Sequence, residues 1–385
     1  MNSELSLVAG LIDQAQHPED VFGTNPGTDP QKSIKRIYAQ LARKVHPDFN
    51  PAEKVIAERT FAKLSDLHEQ AKDRLRAGVY GKRIPVTANK PPMSEVVIKG
   101  VYIRYADFAA GDIADIHAAR MVDGPKISEV LLKAAREVSD NALLEAERDT
   151  LEALRKKLVA KSKYSDWDEC LPKVLDSFLL DTGSGPKARI NVLEKFEGFY
   201  TVEQIRTLIP GGIDGRTLAW MWKRLLLMLD WTHKLGCLHG AVLPPHVMYY
   251  PDNDGHTGRD HRKHAVRLID WCYSRKLTPA AKLIAWSPQW EAFYPPEILA
   301  KGTLVPATDL FMGAKTMLYL IGGDAGTDKF PDHIEKEICE SFRMCLELDS
   351  RRRPQDIKTY FESFVGILER VYGKPKYHLF NLPNR

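Results

Sequence analysis

The sequence predicts an α+β protein: an all-helical N-terminal unit, then a strand-rich lobe, then a helical lobe. Three observations carry that prediction. Apolar residues recur at helical spacing on both sides of His46-Pro47-Asp48. A proline-bearing stretch begins at residue 81. Beyond it, short β-rich runs give way to long helical periodicity after Asp214.

The first helix is predicted over residues 33–45, where Ile34, Ile37, Tyr38, Leu41 and Val45 share one face. Pro51 is placed to open the second, whose apolar side is Phe61, Leu64, Leu67, Ala71 and Leu75. Two such helices pack as an antiparallel hairpin and expose their connecting loop at the tip. Residues 81–93 hold three prolines and the charges of Lys82, Arg83 and Lys90, which predicts an extended linker. Strands are predicted at Val96-Val97-Ile98, Val101-Tyr102-Ile103 and Val130-Leu131-Leu132, with a break at Gly111. A charged amphipathic helix is expected over 141–160, and short apolar runs between turns such as 182–185 over 171–205. Leu218, Trp222, Leu225, Leu226 and Leu229 mark a buried helix that starts near Asp214 and ends at Gly236. The domain plan is residues 1–80, a linker 81–96, a second domain 97–370 and a C-terminal tail 371–385.

At 385 residues the chain is long enough for two domains, and 44% hydrophobic content is ordinary for globular protein. Its 55 basic and 51 acidic residues leave +4, too balanced for a nucleic-acid binder. Cys170, Cys237, Cys272, Cys339 and Cys345 form no Cys-x-x-Cys pair, the pattern of reduced thiols in a cytosolic protein. The N-terminus is too acidic and polar for a signal peptide, and no apolar run approaches the ~18 residues that span a bilayer. A cytoplasmic protein that meets neither nucleic acid nor membrane is therefore expected.

Residues 20–76 resemble a J domain, the module by which DnaJ-type co-chaperones stimulate ATP hydrolysis by DnaK-type chaperones of the seventy-kilodalton heat-shock class. The tripeptide alone is a weak signal, and its placement between two amphipathic helices makes it specific. Asp20-Val-Phe-Gly23 looks like the family's short entry helix and glycine. The resemblance implies that His46, Pro47 and Asp48, with Lys35, Arg36, Arg43 and Lys44 on the preceding helix, contact the chaperone. The family's opening tyrosines are absent, and His68 stands where the later helix carries a tyrosine. Both are packing positions in the family.

The second half resembles a protein kinase at five points that keep the family's order. The segment from Cys237 through His239 to Tyr250 looks like the catalytic loop and following strand, and Val266 to Cys272 like the strand and Asp-Phe-Gly motif around Asp270. Tyr294-Pro-Pro-Glu297 is similar to the Ala-Pro-Glu motif, and Thr308-Asp309 to the start of the helix whose aspartate braces the catalytic loop. Arg351-Arg-Arg353-Pro354 matches the arginine that pairs with the Glu297 position. The resemblance implies a two-lobed fold in which His239, Glu297, Asp309 and Arg353 are structural. It also implies a nucleotide-steadying pair of Lys133 and Glu147, with Glu145 the lesser choice, and a magnesium-facing Asp270.

The chemistry itself is damaged. The family's general base is Ala241 here, a loss that typically costs on the order of 10²–10⁴ in rate. The phosphate-steadying lysine is Leu243, and the asparagine that holds a second magnesium is His246. The phosphate-covering loop would be residues 108–116, which retain only Gly111 and place Asp112 and Asp115 where phosphates would lie. No catalytic residue is expected, which makes this a pseudokinase. No cofactor is required, ATP and magnesium being what Lys133, Glu147 and Asp270 would hold. The plain alternative is an architectural Lys-Glu pair, with Asp270 capping a turn. His256, His261 and His264 in the loop 251–264 lack helix or strand support, so the loop reads as a solvated hairpin rather than a metal site.

The expected function is a co-chaperone that recruits and stimulates a DnaK-type chaperone, with the inactive kinase-like domain binding an unknown client. The alternatives are an ATP-dependent transferase using Lys133, Glu147, Asp270 and His246, or a nucleotide-sensing scaffold.

Overall fold

The computed structural model describes residues 17–23, 30–76, 80, 96–159, 170–181, 187–251, 265–283 and 285–383, together with Leu5, Val8, Ala9, Ile12 and Ala15. The chain divides into two compact units, Met1–Pro92 and Met93–Arg385. The expected linker 81–93, the turn 182–185 and all three histidines of the loop 251–264 lie outside the described residues.

In the first unit a short helix α1 (Glu19–Phe22) precedes α2 (Pro30–Val45) and α3 (Lys54–Arg76). Gly23 ends α1 at φ 79°, a conformation open to glycine at no steric cost. Ile34, Leu41 and Val45 of α2 are buried against Leu64, Leu67 and Ala71 of α3, with Phe22, Leu5 and Ile12 in the same core. Cross-helix contacts fix an antiparallel pairing. His46 lies edge-on to Phe61 at 5.0 Å, Tyr38 Oη is 3.2 Å from Ser65 Oγ, and Arg74 reaches Glu19 at 3.0 Å. His68 is buried and its ring stacks on Tyr38 at 4.0 Å, so it does the packing work of an aromatic residue. Pro51 does not open the long helix directly. It begins a 3₁₀ turn, Pro51–Glu53, and α3 starts at Lys54. Leu64→Ala, a truncation at a fully buried contact, is expected to cost this unit about 2–5 kcal/mol. Faster hydrogen exchange of the α3 amides would report it.

In the second unit β1 (Val96–Ile98), β2 (Tyr102–Ala110), β3 (Ala114–Asp123), β4 (Lys126–Ala135), β5 (Val174–Leu180) and β6 (Ala188–Glu194) form one antiparallel sheet in the order β1-β2-β3-β4-β6-β5. The register places Lys133 of β4 opposite Asn191 of β6. Helix α4 (Asn141–Val159) follows β4, and Leu144, Leu151, Leu154 and Leu158 form its buried stripe. Glu147 falls in that same stripe, so its charge must be met inside the protein.

After β7 (Tyr200–Thr201) and α5 (Val202–Leu208) comes α6 (Gly215–Lys234). Asp214 caps α6, accepting from the amides of Arg216 at 2.8 Å and Thr217 at 3.1 Å, and Gly236 beyond its end takes φ 78°. Leu218, Trp222, Leu225, Leu226 and Leu229 are all buried, as the spacing predicts. The strands β8 (Cys237–Leu238), β9 (Val247–Tyr249), β10 (Val266–Leu268) and β11 (Arg275–Lys276) carry the segment that follows α6. The chain then turns helical through α7 (Pro296–Leu299), α8 (Pro306–Leu320), α9 (Lys336–Cys345) and α10 (Ile357–Tyr372). Trp222 packs among Phe342 at 5.1 Å, Tyr360 at 6.4 Å and Gly313 of α8, where a Cβ would come within 3.2 Å of its ring. Beyond α10, Phe380 and Leu382 are buried in this same core.

Candidate functional site

The tip of the helical hairpin is built by His46, Pro47 and Asp48 themselves. His46 is extended and caps the turn Pro47–Phe49, its Nδ1 accepting from the Asp48 amide at 3.2 Å. In the neutral ring the proton therefore sits on Nε2. Buried Asn50 locks the turn from below, donating to the carbonyls of Lys44 at 2.8 Å and His46 at 3.1 Å. The tripeptide is thus presented by a stiff turn, with the Asp48 side chain 83% exposed and that of His46 37% exposed. The side chain that caps this turn is that of His46 rather than Asp48. Lys35, Arg36, Arg43 and Lys44 are all exposed, on the side of α2 away from Ile34, Leu41 and Val45. Phe49 follows the tripeptide and is 65% exposed. No periodicity or motif in the sequence marks it.

The second cluster centres on Lys133, 3% exposed, whose Nζ lies 2.9 Å from Glu147 Oε1, 2.9 Å from Asp270 Oδ1 and 3.1 Å from Cys272 Sγ. Three residues far apart in the chain thus converge on one ammonium group. The second oxygen of Glu147 accepts from Asn191 Nδ2 at 3.1 Å, and its first also accepts from the Trp271 amide at 3.2 Å. Burial alone would favour the neutral amine of Lys133, but the carboxylates of Asp270 and Glu147 outweigh it and hold its pKa well above the ordinary lysine value. Burial likewise opposes ionisation of Asp270, yet Lys133 and then His246 keep its carboxyl far below the usual range. The Cys272 thiol is pushed well up, first by burial and then by the Glu147 charge. Glu147, Asp270 and Cys272 are a set that could hold a metal ion, and the Lys133 ammonium stands among them.

Asp270 does not cap the turn that follows it. Its side chain makes no capping bond, and its backbone is left-handed at φ 60°, ψ 69°. For a non-glycine residue that conformation costs on the order of 1–2 kcal/mol, offset here by Lys133 and by His246 Nε2 at 3.4 Å from Oδ2. His246 donates from Nδ1 to the Ala241 carbonyl at 2.9 Å, which turns Nε2 toward Asp270. Ala241 and Leu243 are fully buried, so neither offers a group to a substrate.

The loop between β2 and β3 is a tight turn, closed by the Gly111 amide donating to Ala114 O at 2.9 Å. Asp115 is paired with Arg136 at 2.7 Å, so its charge is neutralised rather than left free. Asp112 is different. Burial raises its pKa, and the nearby Asp270 raises it further.

Below the cluster the structural residues are tied together. Asp309 accepts from the amides of His239 at 2.9 Å and Gly240 at 2.8 Å, and pairs with His233 at 2.8 Å. Glu297 and Arg353 form a two-pronged pair at 2.6 and 2.9 Å. His239 is buried, and that burial pushes its pKa down from 6.5 to about 4 despite the opposing Asp309 charge. Because the folded value lies below the unfolded one, this ring's contribution is complete above about pH 6.5 and is lost as pH falls toward 4. The shift corresponds to about 3 kcal/mol, so the urea midpoint of the second unit should fall between pH 6.5 and 4, and less so in His239→Asn.

No protein-family model matches the chain. Over 63 residues, 16% of its length, the chain is similar to DnaJ homolog subfamily B member 6 of Xenopus tropicalis, at 38% identity. It is similar at 38% to DnaJ homolog subfamily B member 6-B of Xenopus laevis, and at 36% to DnaJ homolog subfamily B member 6 of Macaca fascicularis. The matches cover only about a quarter of these relatives, 25% to 26% of their length. They support the presence of a J domain in this chain.

Proposed function

We propose that this protein is a J-domain co-chaperone whose first unit recruits a DnaK-type chaperone and stimulates its ATPase, while a catalytically inactive kinase-like unit binds a client. The observation that carries the reading is the tip of the hairpin. Asp48 and His46 are held outward by a turn locked through Asn50, next to a helix face bearing Lys35, Arg36, Arg43 and Lys44. A rigid loop with a flanking basic surface suits recognition of an acidic protein partner.

The kinase-like reading of the second unit is supported by the Lys133–Glu147–Asp270 convergence, the Asp309 cage around the chain at His239, and the Glu297–Arg353 pair. Its inactivity is supported by buried Ala241 and Leu243, where a general base and a phosphate-steadying cation would be needed. A client held by this unit would meet the chaperone at raised effective concentration through the tether alone.

The test adds full-length protein to a DnaK-type chaperone and follows single-turnover ATP hydrolysis. A rate above the chaperone's own is expected, and no increase would reject the reading. A parallel incubation with radiolabelled ATP should transfer no label to the protein or to generic substrates. Label that appears with wild type and vanishes in Asp270→Ala would establish the transferase alternative instead.

A further inference from the structure

An ammonium group has three N–H bonds, and those of Lys133 are all in use, on Glu147, Asp270 and Cys272. A phosphate oxygen entering here would need one of them. The two carboxylates are poorly placed to yield. Glu147 is fully buried and also held by Asn191 and the Trp271 amide, so releasing it from Lys133 would strand a buried charge, and Asp270 is pinned between Lys133 and His246. Cys272 takes the third direction by filling space. Its side chain is fully buried with Sγ 3.1 Å from Nζ, so a phosphate oxygen finds that position occupied, and the neutral thiol brings no charge that must be paired. We infer that Cys272 is the specificity-determining residue of this cleft: its side chain occupies the oxyanion position on Lys133 and excludes polyphosphates.

This rests on the kinase-like reading of the second unit. The ligand class that the cleft would take once opened is a polyphosphate carried as its magnesium complex. Glu147 and Asp270 already exceed Lys133 in charge, so a bare polyanion would be repelled. Serine at 272 would keep an acceptor in the third direction, while glycine or alanine would vacate it.

The experiment is calorimetric titration of full-length wild type, Cys272→Gly, Cys272→Ala and Cys272→Ser with magnesium ATP, magnesium tripolyphosphate and magnesium alone. Glycine or alanine should bind the first two about tenfold or more tighter than wild type, the worth of one hydrogen bond to a charged group, and serine should match wild type. Equal gains for both ligands would assign the site to the polyphosphate, and a gain for ATP alone to the nucleotide. Either supports the inference. A folded glycine or alanine variant that binds no tighter than wild type overturns it. A second measurement needs no variant. An acyl-phosphate derivative of ATP should leave Lys133 of the wild-type protein unlabelled, and labelling there overturns the inference. Chaperone ATPase stimulation, read on the same four proteins, should be equal throughout, which keeps a failure of the co-chaperone reading distinguishable from a failure of this one.

Discussion

Replacing Arg353 by leucine is expected to destabilise the second unit by about 3–5 kcal/mol, a large fraction of the roughly 5–15 kcal/mol that ordinarily holds a domain folded. The Arg353 side chain is fully buried and bidentate to Glu297, and it also donates to the carbonyls of Glu347 at 2.7 Å, Leu348 at 3.1 Å and Ala307 at 3.2 Å. Its guanidinium also lies 4.6 Å from the ring of Phe311. Leucine fills much of the volume but takes both arginine bonds from the Glu297 carboxylate, which keeps only Thr308 Oγ1 at 3.1 Å among the described residues, and one donor from each of three carbonyls. The charge left without its cation dominates the cost. The neighbouring pair Arg351–Asp349 makes the contrast, since it is a surface pair within one turn. Arg351→Leu should leave the midpoint unchanged. All seven tryptophans fall within Met93–Arg385, so urea titration followed by tryptophan fluorescence reports this unit alone. Equal midpoints for wild type and Arg353→Leu would contradict the account of this pair.

How far the sequence could be read depended on the range of the interaction. The α2–α3 hairpin was legible because its core positions, Ile34, Leu41, Val45, Leu64, Leu67 and Ala71, follow a helical period that needs no distant partner to recognise. The same holds for α6, where five apolar positions, the Asp214 cap and Gly236 each announce themselves locally. Pro51 misled by one turn, because proline is as well placed in a 3₁₀ turn as at the first position of an α-helix. His68 looked like a lost aromatic, and the stack on Tyr38 that restores its role depends on the pairing of two helices. Asp115 looked like free negative charge, but its partner Arg136 is 21 residues away across a hairpin. Lys133, Glu147 and Asp270 could be proposed by family resemblance, whereas Cys272 lay beyond it. Only the fold brings a thiol 139 residues away onto the lysine ammonium. Asn191, which holds Glu147 in place, was equally silent in the sequence.

The central claim is that the hairpin tip acts on a chaperone, and His46→Gln tests it most directly. The His46 ring is partly exposed, and among the described residues its contacts are with Phe61, Phe49 and, through its cap, Asp48. The buried core of α2 and α3 does not include it, so circular dichroism and the thermal midpoint should be little changed. Glutamine can offer neither the flat imidazole nor the Nδ1 acceptor that holds the Asp48 amide, so the presented surface changes while the scaffold stays. The measurement is single-turnover ATP hydrolysis by a DnaK-type chaperone with full-length wild-type protein or the variant at equal concentration. The account predicts stimulation by wild type and a return to the chaperone's own rate with His46→Gln. Stimulation by a folded His46→Gln protein equal to that of wild type would contradict it.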